Sequence, residues 1–295
     1  MRKAFIDITR HELKQREDLI VLLGDISVAG FFGEKEQLLP GVHNCGILEQ
    51  AMLSFGAGAS HEGLYPIMQT IIPFIVERAF EQIKLDFCAQ NNKGLLVGVG
   101  GGLEYSKLGY THQTLWDTSL LSNLEEIIIC TPTLGPEEVK KTISYFIENK
   151  KLAYLRLTKD YLQTNKLTEN LPGFEVEKIV KIKSTSDIDN KKAVIFCGSF
   201  PGIDEMLYSM ECDVFSYSCP NLIPDNVDIL SGYSELEIRE FGTSSILART
   251  FIKAGIKKSI KSYIQSPKFF RDYGDDAAKS FIMNNWTCEI ISPNN

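Results

Sequence analysis

The sequence predicts an α/β protein of two three-layer domains, each built on a mainly parallel sheet. Three observations predict it. Short, continuous apolar runs alternate with segments long enough for helices, the pattern of strands buried on both faces. A polar stretch, Thr158 to Lys191, interrupts that alternation once. At 295 residues the chain is long enough for two cores of ordinary size.

In chain order, Arg10 to Glu17 carry enough charge for a short exposed helix, and Leu19 to Leu23 form an apolar strand closed by Gly24-Asp25. A helix starts near Glu49, runs through the Gly/Ala-rich segment Met52 to Ala59, and stops at His61-Glu62-Gly63. Tyr65 to Met68 reads as the next strand. Pro73 then opens a long helix to about Ala89, since the missing proline N–H has no intrahelical role in a first turn. Gly94 to Val99 is a strand followed by a glycine-rich loop, Gly98 to Gly102. Trp116–Leu124 is helical in pattern, Glu126–Cys130 a strand, Glu137–Lys150 a helix opened by Gly135-Pro136, and Leu152–Leu157 a strand. The boundaries are therefore a first domain over 1–165, a linker over 166–190 with a Pro-Gly turn at 172–173, and a smaller domain over 191–295. The second block starts with the strand Ala193–Cys197, a turn at Gly198-Ser199, a helix from about Ile203 and the strand Asp213–Tyr217. Ligands on parallel sheets gather at the carboxyl ends of the strands, where loops carrying Glu49, Phe74 and His112 would lie.

Composition excludes several classes. A formal net charge of −7 with dispersed Lys and Arg argues against a nucleic-acid surface. The seven cysteines include no Cys-x-x-Cys pair and sit mostly in apolar runs, which fits buried thiols in a reducing compartment rather than disulfides or a zinc site. The start, Met1-Arg2-Lys3-Ala4-Phe5, lacks an apolar signal core, and no run approaches a membrane span. The expectation is a cytoplasmic protein with no membrane contact.

Glu49 places a carboxylate at the head of an apolar helix, a costly position unless the charge is paired. One reading is a first-turn acid answering the helix dipole. Another comes from three segments in order: Gly46-Ile47-Leu48-Glu49-Gln50; Phe74-Ile75-Val76-Glu77-Arg78-Ala79-Phe80-Glu81-Gln82; and Gly109-Tyr110-Thr111-His112-Gln113. Together they resemble the pyrimidine-binding half of transketolase, from about Asp18 to about Arg156 and more loosely beyond. The resemblance implies a pyrimidine-binding domain joined to a transketolase carboxyl-terminal domain, with thiamine diphosphate (ThDP) as cofactor.

The resemblance also assigns roles. Glu49 would hydrogen-bond the pyrimidine N1′, favouring the imino tautomer of the ring's amino group. Phe74 would stack on the pyrimidine, with Ile75 on the adjacent wall, while Phe80 and Phe87 read as core aromatics. His112 would contact the donor near its reacting carbons, with Gln113 orienting it and His43 a further candidate for the substrate. Arg156 matches the arginine that reaches a substrate phosphate. Arg78 is the alternative anion contact, or a structural partner of Glu77 or Glu81.

Two departures qualify this. Leu108-Gly109-Tyr110 stands where central-metabolism transketolases carry Asp-Gly-Pro, which points away from the usual pentose phosphates and toward a less common sugar, such as one for a surface polysaccharide. No Gly-Asp-Gly is present to bind diphosphate and Mg²⁺, and Gly98 to Gly102 fails as a dinucleotide fingerprint because Leu103 stands where the third glycine belongs. The resemblance therefore implies the carboxyl-terminal subunit of a split transketolase: a homodimer clasped by two partner chains that carry Mg²⁺ and the diphosphate site, moving a two-carbon ketol unit from a ketose (phosphate) to an aldehyde. The rivals are half of a deoxyxylulose-phosphate-synthase-like or 2-oxoacid-dehydrogenase-like enzyme, and a non-catalytic structural subunit.

Overall fold

A computed structural model describes residues 1–162, 174–185, 191–266, 270–271 and 274–293. The first unit runs α1 (Arg2–Gln15), β1 (Leu19–Leu23), β2 (Val42–Asn44), α2 (Glu49–His61), β3 (Tyr65–Ile71), a helical segment centred on α3 (Phe80–Gln82), β4 (Gly94–Val99), α4 (Asp117–Leu121), β5 (Ile128–Cys130), α5 (Pro136–Glu148) and β6 (Leu152–Leu157). Its six strands are all parallel, in the order β2-β1-β3-β4-β6-β5. Successive side chains alternate between faces. Val21, Ile67, Val97 and Leu155 enter one core with Phe5 of α1 and Ile143 and Phe146 of α5. Leu22, Met68, Leu96 and Tyr154 enter the other with Leu53 of α2 and Ile75, Val76 and Phe87 of the helical segment. Both faces are thus covered, as apolar strands in a parallel sheet require.

The second unit holds β7 (Val180–Lys183), β8 (Lys192–Cys197), α6 (Ile203–Ser209), β9 (Asp213–Ser216), β10 (Glu235–Glu240), α7 (Ile246–Lys253), β11 (Ile260–Gln265), α8 (Asp275–Asn284) and β12 (Trp286–Ile291). Its order is β12-β11-β10-β8-β9-β7; only the two edge strands are antiparallel to their neighbours. The chain is therefore two mainly parallel α/β units, as the alternation predicts. Among the described residues no helix is long and apolar enough to cross a membrane.

Several expected elements differ in extent. α1 begins at Arg2 rather than Arg10, because Ala4 and Phe5 bury against the first sheet and extend the helix ahead of its charged half. The segment after Pro73 is helical to Cys88, but Pro73–Arg78 and Ile83–Cys88 take wide π turns on either side of α3. α4 stops at Leu121 because Ser122 Oγ and Asn123 Nδ2 donate to the Ser119 carbonyl. The expected linker at 166–190 lies partly outside the described residues, including its Pro-Gly turn. Inside the described part, β7 pairs with β9, so the second unit starts before 191. The alternation Val180-Lys181-Ile182-Lys183, with Ile182 turned into the core, suits a half-buried edge strand.

The two units are joined at β5, whose outer edge would otherwise be unpaired. Asn221 accepts from the Ile129 amide at 2.9 Å and donates to the Ile127 carbonyl at 2.7 Å, and the Thr131 amide donates to the Ser218 carbonyl at 2.7 Å. Glu138 of α5 lies at this seam, accepting from the Thr133 and Leu134 amides and from the Ser218 hydroxyl. Burial raises its pKa from the ordinary 4.5 to about 7 against those hydrogen bonds.

Candidate functional site

The site forms at the carboxyl ends of β3 and β4, beside the amino end of α2. Glu49 opens α2 and is 1% exposed. Its Oε2 accepts a 2.6 Å charge-assisted hydrogen bond from Arg78 Nη1, while its Oε1 is buried without a partner. Arg78 is therefore paired with Glu49, not with Glu77 or Glu81, and keeps 39% of its side chain exposed. The π turn brings Phe74 beneath it: the guanidinium carbon lies 4.1 Å from the Phe74 ring centroid. Phe74 in turn meets the His112 ring edge-on, centroids 5.0 Å apart and planes at 72°. Glu49, Arg78, Phe74 and His112 thus form one continuous row.

His112 ends a short 3₁₀ turn, Tyr110–His112, and its Nδ1 lies 2.9 Å from Thr111 Oγ1. The loop that carries it is pinned at its base by the second unit. Gly102, at φ 68°, receives the Thr114 amide on its carbonyl, and a Cβ there would come within 2.7 Å of the Phe241 ring. Gln113 is buried with both amide atoms unpartnered. Next to the row in sequence, Ile47 at 67% and Leu48 at 63% exposure, with Leu108 and Tyr110, leave large apolar side chains open to solvent.

The structure brings together Glu49, Phe74, Arg78 and His112, with Gln113 next in sequence, and separates the other three candidates. Ile75 is fully buried in the core under the first sheet, so it does not line an open wall. His43 is exposed on β2, an edge strand two places from β3 in the sheet. Arg156 is 1% exposed: its Nη2 donates to Asp117 at 2.9 Å and its Nη1 to the Phe241 carbonyl at 2.6 Å, while Tyr154 donates to the other Asp117 oxygen at 2.7 Å. It ties α4 to the second unit instead of facing a ligand. Its place in Tyr-Leu-Arg-Leu, inside a strand buried on both faces, already carried that signal.

One acid escaped the sequence reading. Glu77, three residues after Phe74, is partly buried, and desolvation raises its pKa against the opposing influence of the nearby Thr114 side chain. Its Oε1 is buried without a partner. Its signal in the sequence is the adjacent pair Glu77-Arg78, an acid beside the candidate anion contact.

A buried carboxylate oxygen left unpartnered beside an aromatic ring fits a planar heterocycle with a hydrogen-bonding ring nitrogen. Arg78 already covers one face of Phe74, so a stacked ring takes the opposite face or the place of the guanidinium. Among the described residues no group of three or more His, Cys, Asp or Glu could hold a metal ion.

Comparisons with known proteins bear on the family and the fold. Residues 1–164 match the family described as the transketolase pyrimidine-binding domain. Over 157 residues the chain is 28% identical to an apulose-4-phosphate transketolase subunit of Phocaeicola vulgatus, covering 53% of this chain and 50% of that protein. It is 27% identical over 147 residues to the 1-deoxy-D-xylulose-5-phosphate synthase of Natranaerobius thermophilus, covering 48% of this chain and 22% of that one. The chain thus spans about half the length, or less, of the curated relatives it matches. A solved structure described as a split-gene transketolase, an inactive β4 tetramer, superposes with a TM-score of 0.76 at 17% identity over 96% of this chain and 92% of that one, a likeness of fold.

Proposed function

The chain belongs to the transketolase pyrimidine-binding family, and from that premise we propose that it is the carboxyl-terminal subunit of a split, ThDP-dependent transketolase. The observation that carries this reading is Glu49: a buried carboxylate with one oxygen fixed by Arg78 and the other free beside Phe74. ThDP, when bound, supplies the carbanion chemistry that moves a two-carbon ketol unit from a ketose (phosphate) to an aldehyde. The remaining tasks on this side of the cofactor fall to the chain's own residues. Oε1 of Glu49 holds the proton shared with the pyrimidine ring, and Arg78 keeps the carboxylate oriented through Oε2. His112, held edge-on by Phe74, donates to a substrate oxygen.

The diphosphate and Mg²⁺ fall to a partner subunit in this reading, in a heterotetramer where two copies of this chain pair with two partners in the cytoplasm. The exposed Ile47, Leu48, Leu108 and Tyr110 beside the row support a protein-covered site. Because Arg156 is taken up by Asp117 and Phe241, Arg78 is the cation nearer to hand for an anionic substrate group. The printed name of the apulose-4-phosphate relative supports an uncommon sugar phosphate as the substrate class.

The test is Glu49→Ala and Glu49→Gln in the assembled complex. Ketol transfer should fall by about a hundredfold or more, with co-elution of the subunits unchanged. Unchanged turnover in either variant overturns the assignment, and a complex that assembles but never turns over with any ketose or 2-oxoacid donor marks a structural subunit.

A further inference from the structure

We propose that Glu77 is a specificity-determining residue that accepts a hydrogen bond from a hydroxyl of the aldehyde acceptor and keeps anionic groups from that position. This rests on the ketol-transfer reading above. Phe74 and Glu77 lie three residues apart on the same π-helical turn, and the loop Tyr110–His112 runs along it. Phe74 meets His112 at 5.0 Å, and Glu77 lies near enough to the side chain of Thr114, two residues further along the same loop, for Thr114 to favour its charged form. The field of Glu77 also reaches Tyr110 at the start of the turn. Glu77 therefore flanks His112 within the seam between the helical segment and the loop.

Its hydrogen bonding is incomplete. Thr114 is the nearby polar side chain that favours its charged form, and Oε1 is buried without a donor. The neighbouring Asp117 differs, because Arg156 and Tyr154 occupy both its oxygens. A half-buried carboxylate with an open acceptor site is complementary to a neutral donor and repels phosphate or carboxylate. A carboxylate turns readily about its last torsion, so either oxygen of this partly exposed residue can take the ligand. The chemistry that fits is a hydroxyl close to the carbonyl carbon that His112 addresses.

The experiment compares two acceptors that differ by one hydroxyl, glycolaldehyde and acetaldehyde, in the complex of this chain with its diphosphate-carrying partner. The wild-type complex should favour glycolaldehyde in kcat/KM. Glu77→Gln, which keeps the shape and removes the charge, should reduce that preference by about tenfold through KM, leaving ThDP affinity unchanged by calorimetry. Glu77→Asp, which keeps the charge, should restore part of the preference, and it serves as the second variant if Glu77→Gln folds poorly. An active complex whose preference is the same in the wild type, Glu77→Gln and Glu77→Asp overturns this inference and leaves the ketol-transfer reading standing. A wild-type complex that binds ThDP yet transfers no ketol unit overturns both.

Discussion

Two arginines with similar sequence credentials have opposite fates at the residue scale. Arg78 is exposed enough to meet a ligand, and its bond to Glu49 engages only Nη1 of its fork. Arg156 sits in a strand with apolar neighbours on both sides, and its charge is matched by Asp117 in a dry seam. Breaking a buried pair by removing one partner leaves an uncompensated charge, so Arg156→Ala should lower unfolding stability by about 3–5 kcal/mol. Urea unfolding of the purified chain measures this directly. A loss within about 0.5 kcal/mol, with only substrate KM altered in the complex, would return Arg156 to the role its motif implies. The row Glu49–Arg78–Phe74–His112 was legible residue by residue, apart from who pairs with Arg78, because that pairing depends on a π turn that composition does not announce.

Strands and helices were legible at the element scale wherever apolar periodicity was strong. β1, β4 and β6 are apolar along most of their length, and α5 shows Val139, Ile143, Phe146 and Ile147 on one face. Ends were less legible where a long-range partner decides them. β7 is a strand because β9 offers it an edge, and α1 extends to Arg2 because Ala4 and Phe5 find the sheet. The edge of β5 is likewise completed by a side chain, Asn221, from the second unit. Asn221→Ala would leave the Ile129 amide and Ile127 carbonyl unpaired, an expected loss of about 1–3 kcal/mol. Amide hydrogen exchange reads the same event, and faster exchange at Ile129 with unchanged rates in β3 is the predicted pattern. Uniform rates across both strands would contradict the staple.

Buried acids make the whole molecule sensitive to pH. Burial raises Glu138 from the ordinary 4.5 to about 7 and Glu240 to about 8 in the folded chain. Between the unfolded and folded pKa values the native state holds more protons than the unfolded one, so stability falls as pH rises from about 4.5 to about 8. For Glu138 alone the difference is on the order of 3 kcal/mol. Denaturant midpoints at pH 5.5 and 8.5 should show it, with Glu138→Gln flattening the slope; parallel slopes in the two proteins would contradict it. At this scale two α/β units were legible from alternation and one polar interval, whereas the hydrogen bonds that join them run between residues some 90 positions apart, such as Ile129 and Asn221. The central claim is that this chain supplies half of a shared ThDP site. Its most direct test is a calorimetric titration of ThDP with Mg²⁺ into the chain alone and into its mixture with the diphosphate-carrying partner. Tight binding in the mixture only is the predicted result. Tight binding by the chain alone, or none in a co-eluting mixture, would contradict it.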